Sequence, residues 1–515
     1  MMVLAGTPMY HAVGLWPIII AAGVLLLIFV CVAIQDRGLK HRAILCLLTG
    51  ATALGGCASL DPWGAFKALP ALRSEAFDGE MNPNESVADN SPNLAGKLAG
   101  RTLSLGECVT LAMEHNPRTA ESWQAIRAAA ARTGRAKADY LPIIGFTSSA
   151  ARGETVQLDR DTNLGTQNRY DGVFGLRWLI FDGGGREARV DAATAEVLAA
   201  GFRHNIALQD VALATVESYY NLLATRSFRR LAEETVRQRD YQLRMARARH
   251  DAGVVSKSDV LRAETEKADA ELNLVRARNG VEVAQGRLAT AMGVSVSTSF
   301  QIADLPKSHY EQQLDDMQAL LNEAAGNRPE LKTALAQVRT QEAAVRLAKS
   351  RYWPALAVDT GLGWVGRSFP PDQRQWSVGA ALDLPLFTGF DRNYQLHVSK
   401  ADLDRALATR RIVLRNVELE VWTAYWQTIE ANQAIGAAER FVASAEESAR
   451  VAEGEYKNGT GSMIGLIDAQ TRRTAARDRL IQARLDWRTA IARLERAVGR
   501  VLTPQTKPPA MERSK

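Results

Sequence analysis

The chain has 515 residues, a formal net charge of +6 and 46% hydrophobic residues. This balance of apolar and charged residues is typical of a folded protein and excludes wholesale disorder. The mild positive charge gives no basis for nucleic-acid binding, which requires a clustered basic face. The 4 cysteines include no CxxC or CxxH pair, which excludes a disulfide framework and a zinc site of that type.

Two apolar runs, 15–34 and 43–54, precede the main body. The second follows a basic cluster and ends in Leu-Gly-Gly-Cys57, which resembles the signal of a bacterial lipoprotein. A basic segment, a short apolar run and small residues before a cleavage point are typical of secretory signals. We therefore expect residues 1–56 to be a signal region and Cys57 to be lipidated. A buried cysteine in an apolar helix is the alternative.

The first apolar run is long enough to span a bilayer, which is redundant ahead of a lipoprotein signal. We therefore expect residues 1–36 to reflect a mis-assigned start, with translation beginning near residues 32–39. Finding Met1 intact by N-terminal sequencing of the precursor would contradict this. Residues 57–100 follow as a lipid-anchored linker.

The main body is duplicated. Over most of its length equivalent residues stand 206 positions apart, as in Gly253 and Gly459, Ser256 and Ser462, Leu288 and Leu494, and Gly293 and Gly499. Upstream the separation is 212, as in Pro117 and Pro329, and Tyr140 and Tyr352. A length difference of this kind indicates an exposed loop. We therefore expect a first repeat (101–299), an equatorial connector (300–326), a second repeat (327–499) and a disordered tail (500–515).

Each repeat contains segments in which apolar residues alternate with others. In the first repeat, Phe174, Leu176, Trp178 and Ile180 alternate with residues that include Arg177. Alternation predicts strands, and an apolar stripe on one face is typical of transmembrane barrels. We predict strands at about 143–150, 170–181, 354–365 and 374–386, with surface loops over 153–168 and 366–373. A soluble hairpin packed on helices is the alternative.

Four strands per chain cannot close a membrane barrel, which needs about eight strands. An open sheet edge is not viable in lipid, because its backbone groups lack hydrogen-bond partners there. The strand prediction therefore requires several chains to share one barrel, with cyclic symmetry.

Long helices follow the strands in each repeat. No proline occurs between Pro142 and Pro306 or between Pro385 and Pro504, and proline costs about 3 kcal/mol inside a helix. We predict helices over about 186–251 and 392–457, each on the order of 100 Å long. After a glycine-containing turn, helices over 256–292 and 462–498 run back antiparallel, as in coiled coils.

The Tyr140-Leu-Pro142 element, the segment from Trp178 to Gly184 and the two glycine turns resemble the TolC-type outer-membrane efflux protein family, in its lipoprotein branch, over about residues 101–499. The resemblance implies an α+β membrane protein that forms a homotrimer. A twelve-stranded outer-membrane β-barrel would be continued by a coiled-coil α-helical tunnel in the periplasm. It also implies a location in the outer membrane of a Gram-negative cell, no enzymatic activity and no cofactor.

The resemblance further implies a passive exit duct for drugs, metals or other small molecules. A periplasmic adaptor would dock this duct to an inner-membrane pump of the RND, ABC or MFS type. Two alternatives stay open: an outer-membrane component of type I protein secretion, and a non-conducting structural lipoprotein that spans the periplasm. Detergent-resistant trimers with conductance favour a duct. A soluble monomer after Cys57→Ala favours the structural alternative.

The resemblance assigns roles to residues at the two turns. Gly253 and Gly459 correspond to tip glycines that contact the adaptor. Asp259 and Asp468 correspond to carboxylates at the periplasmic entrance, and Tyr456 corresponds to a tyrosine that latches to a carboxylate at the first tip. Three copies of Asp468 would ring the mouth with negative charge and favour cations. The alternative for Asp259 is a carboxylate stabilised by the dipole at a helix start.

The sequence departs from the family pattern at Gly461 and Gly465, where the best-known member has Arg and Asp. The resemblance therefore implies that the arginine-based latch is absent. Gly183-Gly184-Gly185 fits a dinucleotide-binding spacing, but its repeat equivalent lacks it, so we interpret it as a strand-to-helix bend. The 7 histidines are scattered and indicate no catalytic or metal site.

Overall fold

In a computed structural model of the chain, the described residues are 98, 100–157, 162–304 and 316–500. The signal region, Cys57, almost all of the linker and the tail beyond residue 500 lie outside these ranges. The described residues belong to two compact units. One contains 127–198 and 336–407, and the other contains the residues up to 126, 199–335 and 408–500.

The secondary structure repeats once along the chain. The first repeat comprises α1 (Leu105–His115), α2 (Pro117–Ala138), β2 (Ile143–Gln157), β3 (Thr162–Phe181), α3 (Gly185–Asp251) and α4 (Lys257–Ala291). The second comprises α5 (Met317–Asn327), α6 (Pro329–Ser350), β5 (Ala355–Gly366), β6 (Gln373–Asp383), α7 (Asp391–Asn458) and α8 (Met463–Val498). Two short strands, β1 (Thr102–Leu103) and β4 (Gln301–Ile302), pair in parallel. The predicted order of helix, hairpin, long helix and return helix is confirmed.

The repeat extends further than the sequence pattern indicated. Helix α5 lies, except for its last residue, inside the segment expected to be a connector, and its bounds stand 212 positions after those of α1. Residues 305–315 of that segment lie outside the described residues. Within the described ranges, no helix is both long and apolar enough to cross a membrane.

The strands differ from the predicted bounds mainly in the first hairpin. Most of 153–168, expected to be a loop, continues β2 and β3, with Gly153 opposite Gln167. Polar residues and glycine predominate in this segment, so no hydrophobic alternation marked it as a pair of strands. Strand β6 ends at Asp383, three residues before the predicted bound. Pro385 follows shortly after, and proline cannot donate a ladder hydrogen bond.

The first unit contains an antiparallel sheet with the order β2-β3-β5-β6. Phe146, Phe174, Leu362 and Trp376 lie opposite one another across the four strands, and all four are exposed. Residues opposite one another share a face, so one face of the sheet is apolar and open. The adjacent row, on the other face, consists of Gly145, Gly175, Gly361 and Ser377. Among the described residues, β2 and β6 each pair on one side only.

Helix α3 begins directly after a sharp bend at the end of β3. Gly183 and Gly184 have positive φ angles of 63° and 85°, a conformation that favours glycine. The Arg186 guanidinium donates hydrogen bonds of 2.6 and 2.7 Å to two carbonyl oxygens near the end of β3. The interpretation of the glycine run as a strand-to-helix bend is confirmed.

In the second unit, each return helix ends against the junction between two shorter helices. Asn116, between α1 and α2, donates through Nδ2 to the Ala291 carbonyl oxygen at 2.9 Å. Its repeat equivalent, Arg328, donates to the Arg496 and Ala497 carbonyl oxygens, each at 3.1 Å. These contacts provide partners for carbonyl groups that a helix end leaves unpaired. We call these two contacts the return joints.

Candidate functional site

The candidate site consists of the two helix–turn–helix tips, α3–α4 and α7–α8. Gly253 and Gly459 adopt φ angles of +74° and +82°, and their N–H groups donate to the carbonyl oxygens of His250 and Tyr456, respectively. Both glycines are exposed. The left-handed conformation ends each long helix and lets the chain reverse, which is the usual role of glycine at a helix C-terminus.

The two tips share one hydrophobic cluster. Its buried members come from all four helices: Leu243, Ala246, Ala263, Tyr456, Met463 and Leu466. Burial of this cluster links the two repeats at the end that carries the candidate entrance residues.

Tyr456 is held at the tips by an arginine from the first repeat. Its side chain is 2% exposed, and the Arg249 guanidinium carbon lies 4.7 Å from the ring centroid. The same guanidinium donates a hydrogen bond to the Tyr456 carbonyl oxygen. One side chain therefore combines a cation–π contact with a charge-assisted hydrogen bond across the repeats.

The expected hydrogen bond from Tyr456 to a carboxylate is not formed in this structure. Its hydroxyl is buried and has no hydrogen-bond partner among the described residues. Burial is the largest cause that raises the pKa of Tyr456, Arg249 opposes the shift, and Asp259 adds to it. The phenol therefore stays neutral at physiological pH, and the link between the tips runs through Arg249.

The two carboxylates have different surroundings. Asp259 lies half-buried in the first turn of α4, where the helix dipole favours a negative charge. Asp468 lies in the second turn of α8 with its side chain 60% exposed, and it forms an ion pair of 3.1 Å with Arg472. The position of Asp259 in a first helical turn agrees with the alternative of a helix-start carboxylate, and its role at the entrance stays a prediction.

A groove between α7 and α8 borders the second tip. It is lined by Glu447, Val451, Glu455, Gly461, Gly465, Asp468 and Arg472, among others. A β-carbon at Gly461 would lie 3.1 Å from the Tyr456 backbone nitrogen and 3.2 Å from the Glu455 carbonyl carbon. A larger residue at this position would require the turn to shift, which gives a physical reason for glycine there.

Arg249 was not identified from the sequence. Nothing in the α3 periodicity distinguishes it from the other arginines near the end of that helix. The repeat offered one signal: the residue equivalent to Arg249, 206 positions later, is Glu455. The two equivalent positions therefore carry opposite charges, and Glu455 also borders the tip. Among the described residues, no group of three or more His, Cys, Asp or Glu side chains is placed to hold a metal ion.

The chain is similar to proteins of known family. A family model described as outer membrane efflux protein matches residues 108–294 and 320–500. Protein CyaE of Bordetella pertussis is 28% identical over 458 residues, covering 87% of this chain and 94% of that protein. Outer membrane efflux protein BepC of Brucella suis is 25% identical over 425 residues, covering 80% and 90%. The crystal structure of VceC from Vibrio cholerae matches with a TM-score of 0.68 at 18% identity, covering 77% and 96%, and shows the same fold.

Proposed function

The chain belongs to the outer membrane efflux protein family, and from this premise we propose that it is the outer-membrane exit duct of a tripartite efflux system. The duct is passive, because the energy for transport comes from an inner-membrane pump. It resides in the outer membrane of a Gram-negative cell and extends into the periplasm. Its cargo consists of drugs, metals or other small molecules.

The four-stranded sheet is the observation that carries this proposal. Its exposed apolar face is suited to lipid, and within the described part of the chain its two outer strands each have a neighbouring strand on one side only. Three copies would supply twelve strands, enough to close a barrel that needs about eight. Closure by identical copies pairs β6 of one copy with β2 of the next, so no edge stays open in lipid.

The long helices support the second half of the proposal. Helices α3 and α7 contain 67 and 68 residues, which corresponds to about 100 Å each. Helices of this length require coiled-coil partners in water, and three copies would supply six of them together with six return helices of 35 or 36 residues. An assembly of this kind provides a covered path through the periplasm.

The partners are a periplasmic adaptor and an inner-membrane pump of the RND, ABC or MFS type. Exposed Gly253 and Gly459 form the surface that contacts the adaptor, and Asp259, Asp468 and Tyr456 form the periplasmic entrance. Lipidation of Cys57 anchors the mature chain in the outer membrane, because the several acyl chains of a lipoprotein bind more stably than one.

Planar-bilayer recording of the purified full-length protein tests the proposal. We expect stepwise conductance from a species whose mass by light scattering is that of three chains. We also expect deletion of the protein to sensitise cells to pump substrates. A monomer without conductance, together with unchanged sensitivity, would contradict the proposal and favour a structural lipoprotein.

Asp468→Asn is expected to weaken block of the channel by a trivalent cation such as hexaamminecobalt at least about tenfold. Three copies of a carboxylate at a narrow mouth attract cations, and the substitution removes their charge. Arg472→Ala should strengthen block, because it removes the ion-pair partner of Asp468. Asp486→Asn changes an exposed carboxylate further along α8 and should leave block unchanged. The entrance role fails if Asp468→Asn and Asp486→Asn behave alike.

Arg249→Ala is expected to shift the channel toward its open state by about tenfold, as read from conductance and from cell sensitivity to large antibiotics. The variant loses a cation–π contact and a charge-assisted hydrogen bond, together about 1.5 kcal/mol. Tyr456→Phe is the matched control, because it removes a hydroxyl without a hydrogen-bond partner and keeps the ring beneath Arg249. A larger opening with Tyr456→Phe than with Arg249→Ala would assign the latch to the hydroxyl instead.

A further inference from the structure

Within the second unit, helix α3 of the first repeat contacts helix α8 of the second. Three ion pairs join them at 2.6 to 3.1 Å: Glu217 with Arg493, Glu234 with Arg477, and Asp210 with Arg496. Ala212 and Val216 of α3 share a buried apolar cluster with Ala492 of α8. In the proposed ring of three copies, first and second repeats would alternate, and this contact would be one of the two ways in which they meet.

The other way would join α7 of a second repeat to α4 of the first repeat in the next copy. Because equivalent residues of these helices stand 206 positions apart, each contact between α3 and α8 maps to a defined pair on α7 and α4. Glu234 maps to Arg440, and Arg477 maps to Glu271. The charges are reversed, but they remain opposite.

We propose that Glu271 of one copy pairs with Arg440 of the next, and that this ion pair lies in the contact between copies. Arg440 is exposed and has no ion-pair partner in the described part of the chain. Glu271 is 54% exposed, and its one ion-pair partner among the described residues is Lys267 of its own helix, at 3.7 Å. Arg440 can therefore take a partner, and Glu271 can take a second one.

The own-repeat contacts of the two positions differ. Arg477 bridges Glu446 of α7, at 2.6 Å, and Glu234 of α3, at 3.1 Å. The position equivalent to Glu446 is Asp240 of α3, which is acidic like Glu271, and Lys267 lies 2.8 Å from Asp240 and 3.7 Å from Glu271. In the assembly, Arg440 of the next copy adds a second cation beside Glu271.

Side-chain size is complementary along the same surface. Val216 maps to Trp422 and Ala492 maps to Gly286. Trp422 is 51% exposed, and a β-carbon at Gly286 would meet no atom within 4 Å. The valine–alanine contact within one chain therefore corresponds to a tryptophan–glycine contact between copies. The larger side chain lies opposite the residue without one, so the total side-chain volume between the helices is similar.

The remaining equivalent pairs bring no like charges together. Glu217 with Arg493 maps to Thr423 with Arg287, and Asp210 with Arg496 maps to Asn416 with Thr290. The cation–π contact of Arg488 with Tyr220 maps to Glu282 with Trp426, a carboxylate acceptor paired with an indole N–H donor. A second copy of this chain therefore fits the exposed face of α7, and the pairing is heterologous, as a cyclic ring requires.

The inference rests on the proposed trimeric duct, and crosslinking in the intact outer membrane tests it. The full-length chain carrying Glu271→Cys and Arg440→Cys is treated with a short bismaleimide. We expect covalent dimers and trimers. The matched control carries Glu234→Cys and Arg477→Cys, which should link within one chain and leave the monomer mass unchanged. Cys108 is buried, and burial raises the pKa of its thiol to about 12, so it does not react.

Charge exchange gives an independent measurement. Arg440→Glu places two carboxylates together and should lower the trimer fraction in mild detergent at least about tenfold. Glu271→Arg should act in the same way, and the double exchange should restore the trimer. Absence of covalent multimers while the intrachain control links, absence of restoration, or a link to a different protein would each overturn the inference. If the unaltered protein is still a conducting trimer, the proposed function survives that result, whereas a non-conducting monomer would remove both.

Discussion

Gly293→Ala is expected to lower the free energy of unfolding by more than about 3 kcal/mol. Gly293 has a φ angle of +72°, which costs a residue with a β-carbon about 1–2 kcal/mol. Its β-carbon would also lie 2.6 Å from the His115 carbonyl carbon and 2.8 Å from the Asn116 α-carbon. Both are backbone atoms, so the return joint between α4 and the α1–α2 junction has to open.

Thermal unfolding of the full-length protein in detergent checks this expectation. Gly326→Ala in α5 is the matched control, because its β-carbon would meet no atom within 4 Å. Alanine is the better helix former by about 1 kcal/mol, so this variant should be unchanged or slightly more stable. Gly499→Ala should fall between the two, since its nearest contacts are at 3.2 Å. Equal melting temperatures for Gly293→Ala and Gly326→Ala would contradict the prediction, because they would show that α4 and the α1–α2 junction can move apart at little cost in free energy.

Arg328→Met is expected to lower the free energy of unfolding by about 3 kcal/mol. The Arg328 side chain is 3% exposed and lies 2.8 Å from Glu330 and 2.5 Å from Glu420. It also donates to two carbonyl oxygens at the end of α8. Methionine has a similar volume but leaves these carbonyls and carboxylates short of partners. The unsatisfied groups, rather than a cavity, account for the expected loss.

Two variants calibrate that measurement. Arg328→Lys keeps the positive charge but loses the planar fork that reaches several acceptors at once, so we expect an intermediate loss. Arg101→Met breaks an exposed ion pair with Glu107 and should change stability by less than about 1 kcal/mol. Arg496 also contacts Glu330 and Glu420 and will retain part of the network. If Arg328→Met is as stable as Arg101→Met, Arg496 alone holds the joint.

The sequence predicted the architecture because its strongest signals are long and repeated. Two stretches without proline specify the long helices, and glycines at equivalent positions specify the turns between them. The hydrophobic alternation of β3 and β6 identified the hairpins. This alternation stops before the end of the first hairpin, where polar residues and glycine predominate. Backbone pairing between β2 and β3 nevertheless continues there.

The candidate site was predicted in part. Gly253 and Gly459 lie at the turns because their backbone conformation is a local property that the sequence reveals. The roles of Asp259, Asp468 and Tyr456 at the entrance stay predictions. Arg249 was missed because its contact joins residues 207 positions apart, and helix periodicity carries no information on which side chain of a neighbouring helix lies opposite.

By itself, the sequence determined the duplication, the order and approximate length of the helices, the hairpins and the family to which the chain belongs. These properties depend on local propensity and on comparison of the two repeats. Only the tertiary structure decided that Arg249 joins the two tips, that Arg328 and Asn116 hold the ends of the return helices, and that Gly293 admits no β-carbon. Each of these depends on atoms from residues far apart in the chain, whose separation in space is fixed only when the helices pack.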